Sequence, residues 1–181
     1  EISRGGSVGE KESDVPEFVP ADMVILSIGV RPETAFLAGS GVELGARGEI
    51  LVNEQLRTSV PDIYALGDAA TVTNLVSGAR QVIPLAGPAN KQARIVADVI
   101  CGKDAAYKGS IGTSVMKFFD MTVAAAGEKE ESLRAAGTAY RKSYTVSASH
   151  AGYYPGGTQM FVKLLYSPEG RVLGAQIVGG E

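Results

Sequence analysis

The sequence predicts an α/β first half followed by an α+β second half carried on an antiparallel sheet. Three observations lead there. Short, nearly unbroken apolar runs ending in glycine recur between residues 22 and 67, as strands covered on both faces do. A proline-led amphipathic run over residues 88–101 supplies a helix. Beyond residue 109 the grammar changes, and alternating apolar residues punctuated by turn residues mark an antiparallel sheet with at least one helix.

Taken in order, residues 1–20 are polar and charged, with prolines at 16 and 20, and read as an irregular arm or a poorly packed hairpin. "DMVILSIG", Asp22 to Gly29, is the first strand, and Pro32 bars further ladder bonding after it. "ETAFLAGSG" gives a short helix that its glycines stop. "GEILVN" and "DIYALG" are the second and third strands, and residues 71–85 are a long loop. The helix "PANKQARIVADVIC" sets Ala89, Ala93, Val96, Ala97 and Ile100 on one face, with Lys91, Gln92 and Asp98 away from it. "CGKDAAYKG" is polar and glycine-flanked, the best boundary in the chain. After it, "TSVMKFFDMTVAAAG" is strand-like, "EKEESLRAAG" is a charged amphipathic helix and "AYRKSYTVSA" alternates. "QMFVKLLYSPEGRVLGAQIVG" is a hairpin turning on Ser-Pro-Glu-Gly, with proline and glycine at the positions a tight turn favours.

The totals exclude several classes of function. The chain has 181 residues, 45% hydrophobic and 20% charged, enough for one ample core or two modest ones. Seventeen Lys and Arg against twenty Asp and Glu leave a net charge of −3, no field for recruiting nucleic acid. No stretch approaches the ~20 apolar residues of a membrane helix, and the N-terminus is unlike a signal peptide, so the expected location is cytoplasmic. One cysteine, Cys101, excludes an internal disulfide and a cysteine-only metal site, and one histidine, His150, argues against a histidine cluster. No metal is expected. The chain opens on a polar stretch without methionine and stops at "GAQIVGGE", which reads as a fragment.

Asp68 is the sharpest candidate for chemistry. Gly67 lets a main chain approach a ligand closely, and Asp68, Ala69 and Ala70 offer N–H groups unobstructed by bulky side chains. A carboxylate at the C-terminal end of a buried strand can hold a sugar hydroxyl. It can equally end a strand by bonding its own backbone, and both readings stay open at this level. In "PLAGPANKQAR" the helix N-terminus at Gly87 and Pro88 carries unpaired N–H groups and about half a positive charge. It could stabilise negative charge on a ligand held by the backbone of Leu85 and Ala86, or be an ordinary helix start.

"SHAGYYPGG" places His150, Tyr153 and Tyr154 in a glycine-rich loop. A tyrosine hydroxyl can donate a proton or hold a thiolate. The alternative is that one tyrosine packs in the core and the other covers it, with His150 a surface residue. Cys101 falls at the negative pole of its helix, which blunts a thiol, and reads as structural. A Gly-x-Gly-x-x-Gly phosphate loop is missing; Gly39-Ser40-Gly41 is followed by Leu44 where the third glycine belongs.

As an ordered set, "ADMVILSIGVRPET", "TSVPDIYALGDAA", "IPLAGPANKQAR" and "VLGAQIVGGE" resemble the flavin-dependent pyridine nucleotide–disulfide oxidoreductases. The branch is that of the coenzyme A-disulfide reductases, NADH oxidases and NADH peroxidases. "SASHAGYYPGGTQM" is most similar to the coenzyme A-disulfide and persulfide reductases. The resemblance implies three parts: residues 1–28 as the tail of an NAD(P)H-binding domain, 29–106 as the C-terminal half of a Rossmann-like FAD-binding domain, and 107–181 as an α+β interface domain that forms a homodimer. It further implies FAD and NAD(P)H as cofactors and a small disulfide or persulfide, such as coenzyme A disulfide, as substrate. On that plan Asp68 holds the ribityl chain of FAD and Gly67 gives close approach. The amides near Leu85 and Ala86 face the pyrimidine end of the flavin, and Tyr153 or Tyr154 serves the partner subunit's active site. The family's glycine motifs and redox cysteine fall outside this sequence, so the chain alone is expected to be inactive. An NADH oxidase or peroxidase and a non-catalytic dimerisation module are the alternative functions.

Overall fold

The computed structural model describes residues 18–180. Two compact units divide the chain, Glu1–Val30 and Arg31–Glu181. In the first, residues 18–30 contain no helix or strand, and Met23, Val24, Ile25, Leu26 and Ile28 are exposed. The strand expected at Asp22–Gly29 is therefore not formed. An apolar run reports a capacity for burial, but a strand also needs a neighbour for its N–H and C=O groups, and no described strand pairs with this one. The reading of residues 1–17 lies outside the described residues.

The second unit opens on a single 3-10 turn, Ala35–Leu37, the short helix expected there. "GEILVN" and "DIYALG" do not become strands; they pair only through isolated bridges, Leu44 with Ile50, Ile50 with Ala70 and Arg57 with Tyr64. The backbone explains why. Left-handed φ at Gly48, Leu56, Asp62 and Gly67 interrupts each extended run after a few residues. The predicted long loop over residues 71–85 holds a hairpin instead, β1 (Thr71–Thr73) with β2 (Arg80–Val82). Strands of three residues are too short to show a period, and β2 begins on the exposed pair Arg80 and Gln81. The Asn74 side chain forms the turn, its Oδ1 accepting from the N–H groups of Val76 at 2.8 Å and Ser77 at 3.2 Å.

Helix α1 (Ala86–Ile100) starts two residues before Pro88, which is tolerated because a first-turn residue needs no N–H partner. Its buried residues are Gln92, Val96 and Val99. The expected face is thus corrected: Ala93, Ala97 and Ile100 are exposed, and Gln92 points inward. Val96 packs with Val52, Leu56, Ala70, Val72, Ile83 and Tyr107 in the first core cluster.

The second half follows the expected order, with one correction: the strand-like stretch of residues 113–127 is two antiparallel strands that turn at Phe119 and Asp120. β3 (Ser114–Phe118), β4 (Met121–Gly127), β5 (Arg141–Ala148), β6 (Gln159–Tyr166) and β7 (Val172–Gly180) form one sheet in the order β3-β4-β7-β6-β5. Every neighbouring pair is antiparallel. The β6–β7 turn closes as Gly170 N–H donates to the Ser167 carbonyl at 2.9 Å. Helix α2 (Glu130–Ala135) covers one end of the sheet, Leu133 packing with Leu165 and Leu173. Glu130 fastens that helix to the strands, accepting from Lys142 at 2.9 Å, Lys163 at 2.5 Å, Arg134 at 2.6 Å and Tyr140 at 2.8 Å. Away from α2, the cross-strand row Met116, Val123, Val178, Phe161 and Val146 stretches over all five strands, with Met116, Phe161 and Val146 exposed.

The sheet joins the first cluster through a buried polar contact. Asn74 Nδ2 donates to Glu128 Oε1 at 2.9 Å, and Ser132 Oγ donates to Glu128 Oε2 at 2.5 Å. A buried carboxylate needs such donors to offset its lost hydration.

Candidate functional site

The site begins with the 3-10 turn Gly67–Ala69. Gly67 has φ of +76°, a conformation that a side chain disfavours, and it turns the chain sharply ahead of Asp68. Both of its backbone groups are engaged: its N–H donates to Gln92 Oε1 at 2.7 Å, and its carbonyl accepts from Ala70 N–H at 3.2 Å. On the other side of the turn the Ala69 carbonyl accepts from Ile50 N–H at 2.8 Å, and Thr71 N–H donates to the Ile50 carbonyl at 2.9 Å. The main chain around Asp68 is therefore fixed on both sides.

The Asp68 side chain is not. It is exposed, and among the described residues its carboxylate accepts no hydrogen bond. A turn former would spend its oxygens on its own backbone, as Asn53 does in accepting from Gln55 and Arg57 N–H at 2.9 and 3.0 Å. Asp68 does not, and its acceptors remain available to a ligand.

The same turn packs beside the start of α1. A Cβ built on Gly67 would lie 3.9 Å from that of Ala89, so the Asp68 turn and the helix N-terminus are neighbours. Leu85 is the N-cap and supplies no side-chain cap. Of the first helical residues, Pro88 has no N–H and Ala89 donates to the Leu85 carbonyl at 3.1 Å. The N–H groups of Ala86 and Gly87 find no partner among the described residues. A helix of 15 residues adds the partial positive charge of its dipole at that point. Two segments that are separate in the sequence are thus brought together: the turn Gly67–Ala69 that carries Asp68, and the helix start after Leu85, whose Ala86 and Gly87 amides find no partner among the described residues.

The tyrosine loop lies elsewhere, between β5 and β6. Tyr153 is 84% and Tyr154 61% exposed, so neither packs in a core. The loop is a tight turn, Tyr154 N–H donating to the Ala151 carbonyl at 3.0 Å, and consecutive side chains do not alternate as they would in an extended segment. The two rings lie together, centroids 4.9 Å apart and planes tilted by 38°. His150 is exposed, as expected of a surface residue, and brackets the turn. Its Nδ1 lies 3.0 Å from Ser149 Oγ and its Nε2 lies 3.3 Å from the Tyr154 carbonyl. Cys101 caps the C-terminus of α1 as an exposed free thiol.

Gln92 is the site residue that sequence reasoning missed. Its polarity put it on the outer face, whereas the signal that finds it is its i+4 spacing from Val96. Among the described residues no helix is long and apolar enough to cross a membrane.

Residues 2–93 match the pyridine nucleotide-disulphide oxidoreductase family, and residues 113–181 match its dimerisation domain. The chain belongs to this family, which is FAD-dependent and uses NAD(P)H. Among its relatives, the NAD(P)H sulfur oxidoreductase (CoA-dependent) of Pyrococcus abyssi is 36% identical over 89% of this chain and 36% of its own length. The coenzyme A disulfide reductase of Staphylococcus aureus is 37% identical over 88% of this chain and 36% of its own. Among solved structures, reduced CoADR-RHD of Bacillus anthracis superposes with a TM-score of 0.85 at 46% identity, covering 90% of this chain and 30% of that one. The water-forming NADH oxidase of Lactobacillus brevis bound to NADH gives 0.77 at 26% identity, covering 84% of this chain and 34% of that one. The chain spans about a third of the length of these relatives.

Proposed function

We propose that this chain supplies the flavin-side half-site and the dimer-forming sheet of an FAD-dependent NAD(P)H:disulfide oxidoreductase, acting on coenzyme A disulfide or a related persulfide. The observation that carries the reading is the Asp68 carboxylate, unspent on any described protein group, beside the unpaired amides of Ala86 and Gly87. A ribityl hydroxyl donating to Asp68 satisfies that acceptor, and Gly67 leaves room for the ligand's approach. The amides at the head of α1 would favour negative charge on a flavin held there. When bound, FAD would supply the redox chemistry, accepting hydride from NAD(P)H and returning two electrons to the disulfide. The overall balance is one NAD(P)H, one proton and one disulfide giving NAD(P)+ and two thiols.

Tyr153 or Tyr154 donates the proton that a departing thiolate needs, from the loop of one subunit toward the active site of the other. The exposed apolar row across the sheet and the match of residues 113–181 to the dimerisation domain support a homodimer formed through an interface domain of residues 107–181. Residues 29–106 then belong to the FAD-binding domain and residues 1–28 to the NAD(P)H-binding domain. The protein works in the cytoplasm. Reductase is favoured over oxidase because the similarity to CoADR-RHD is much the higher, at 46% against 26% identity. The test is a protein of family length carrying these residues, assayed for NAD(P)H consumption with coenzyme A disulfide and with oxygen alone. Disulfide-dependent turnover is expected; turnover that needs only oxygen overturns the reductase reading.

A further inference from the structure

The backbone directly ahead of Asp68 is tied to α1 by a buried side chain. Gln92 is 1% exposed on the inner face of α1, and its Oε1 accepts from Gly67 N–H at 2.7 Å. We propose that Gln92 is the positioning residue of the Asp68 turn. It ties the backbone directly ahead of Asp68 to α1, so that the carboxylate and the amides of Ala86 and Gly87 reach a flavin as one rigid unit. This rests on the flavin-holding reading of Asp68 given above.

The other ties on the turn run elsewhere. Ala70 closes the turn on itself, and Ile50 anchors its far side to the neighbouring segment. Gln92 alone among these bonds reaches from the turn to the helix whose N-terminus completes the site. It lies six positions after Ala86, about 9 Å along the axis at helical rise. A shift of α1 therefore moves the amides and the Asp68 turn together. Burial of an amide side chain is costly unless it is hydrogen-bonded, and an apolar residue of similar size would fill the same space without that cost. What glutamine adds over packing is the bond to Gly67. That bond also satisfies an N–H that donates to no other group among the described residues.

Gln92→Met and Gln92→Leu keep the volume and remove the acceptor, and using both guards against a packing defect peculiar to one. In the 181-residue chain, amide hydrogen exchange is followed at Gly67 and at the core residues Val96 and Val99. Exchange at Gly67 is expected to rise roughly tenfold while Val96 and Val99 stay as they were. In a protein of family length, the dissociation constant for FAD, read by flavin fluorescence, is expected to rise about three- to tenfold, less than in Asp68→Ala. Unchanged exchange at Gly67 overturns the proposal. Equal acceleration at all three residues also overturns it, because Gln92 is then a general packing residue. Flavin held as tightly in the Gln92 variants as in the parent, while Asp68→Ala loses it, overturns the positioning role and leaves the reading of Asp68 standing. Should Asp68→Ala itself retain flavin, the reading beneath the proposal fails.

Discussion

The turn that carries Asp68 and the loop that carries Tyr153 and Tyr154 are held in opposite ways. The first is pinned from two sides by Gln92 and Ile50, with a buried side chain as one anchor. The second stands exposed between two strands, closed by Ser149 N–H donating to the Thr158 carbonyl at 2.8 Å and by the contacts of His150. A group that holds a resident cofactor gains from a geometry fixed before binding, since less freedom is lost on association. A group that serves a passing substrate at a subunit interface need only be ordered once partner and substrate arrive. Under the proposed function, the contrast between the two regions is between a preorganised half-site and one completed by assembly.

The largest expected effect falls on the exposed loop. In a protein of family length, one of Tyr153→Phe and Tyr154→Phe should lower disulfide turnover tenfold to a hundredfold or more, general acid catalysis being worth about 10²–10⁴. Flavin reduction by NAD(P)H, followed by stopped flow, should stay normal in that variant. Full disulfide turnover in both single variants would make the tyrosines surface residues and strengthen the oxidase alternative.

A smaller effect is expected at the pinned turn. Gly67→Ala puts a side chain at φ of +76° without a clash, the nearest atom being the Ala89 Cβ at 3.9 Å. Backbone strain alone then costs about 1–2 kcal/mol, read as a lower urea midpoint. A loss within error would mean that the turn relaxes readily and is not preorganised.

The smallest concerns acid stability of the sheet. Glu130 is held well below the usual carboxylate range, by donation from Lys163 first and then from Lys142, Arg134 and Tyr140. Because its folded value is depressed, the unfolded chain takes up this proton first as pH falls. The stability it contributes is present above the ordinary carboxylate pKa and is lost progressively below about pH 5. Glu130→Gln should lower the urea midpoint at neutral pH and flatten its decline on acidification. Parallel declines in parent and variant would remove Glu130 from the account.

The two regions also differ in how much the sequence disclosed. In the sheet, the alternation of residues 139–148 and the Ser167–Gly170 turn signal led to α2, β5, β6 and β7 in the right order, whereas residues 113–127, read as one strand-like stretch, fold as the hairpin of β3 and β4, whose small and apolar residues show no alternation that would mark the turn. In the first half of the chain the same signals overstated regularity. "DMVILSIG" has the composition of a buried strand but no described partner, and Leu56 and Asp62 adopt left-handed φ that no composition announces. Gly67, Asp68, Ala69, Leu85 and Ala86 were legible as separate turn and helix-start signals. Their adjacency was not, because it depends on Gln92 facing inward, and a polar residue on an amphipathic helix reads as solvent-facing until tertiary contacts are known.

The most direct test of the central claim is flavin retention by Asp68→Ala in a protein of family length. Flavin per polypeptide is measured from the visible-to-ultraviolet absorbance ratio before and after dialysis, with circular dichroism to check the fold. A hydrogen bond to a carboxylate is worth about 1.5–3 kcal/mol, so a tenfold to hundredfold weaker hold on FAD is predicted, with the fold unchanged. Retention equal to that of the parent protein would return Asp68 to the role of a turn residue and contradict the account.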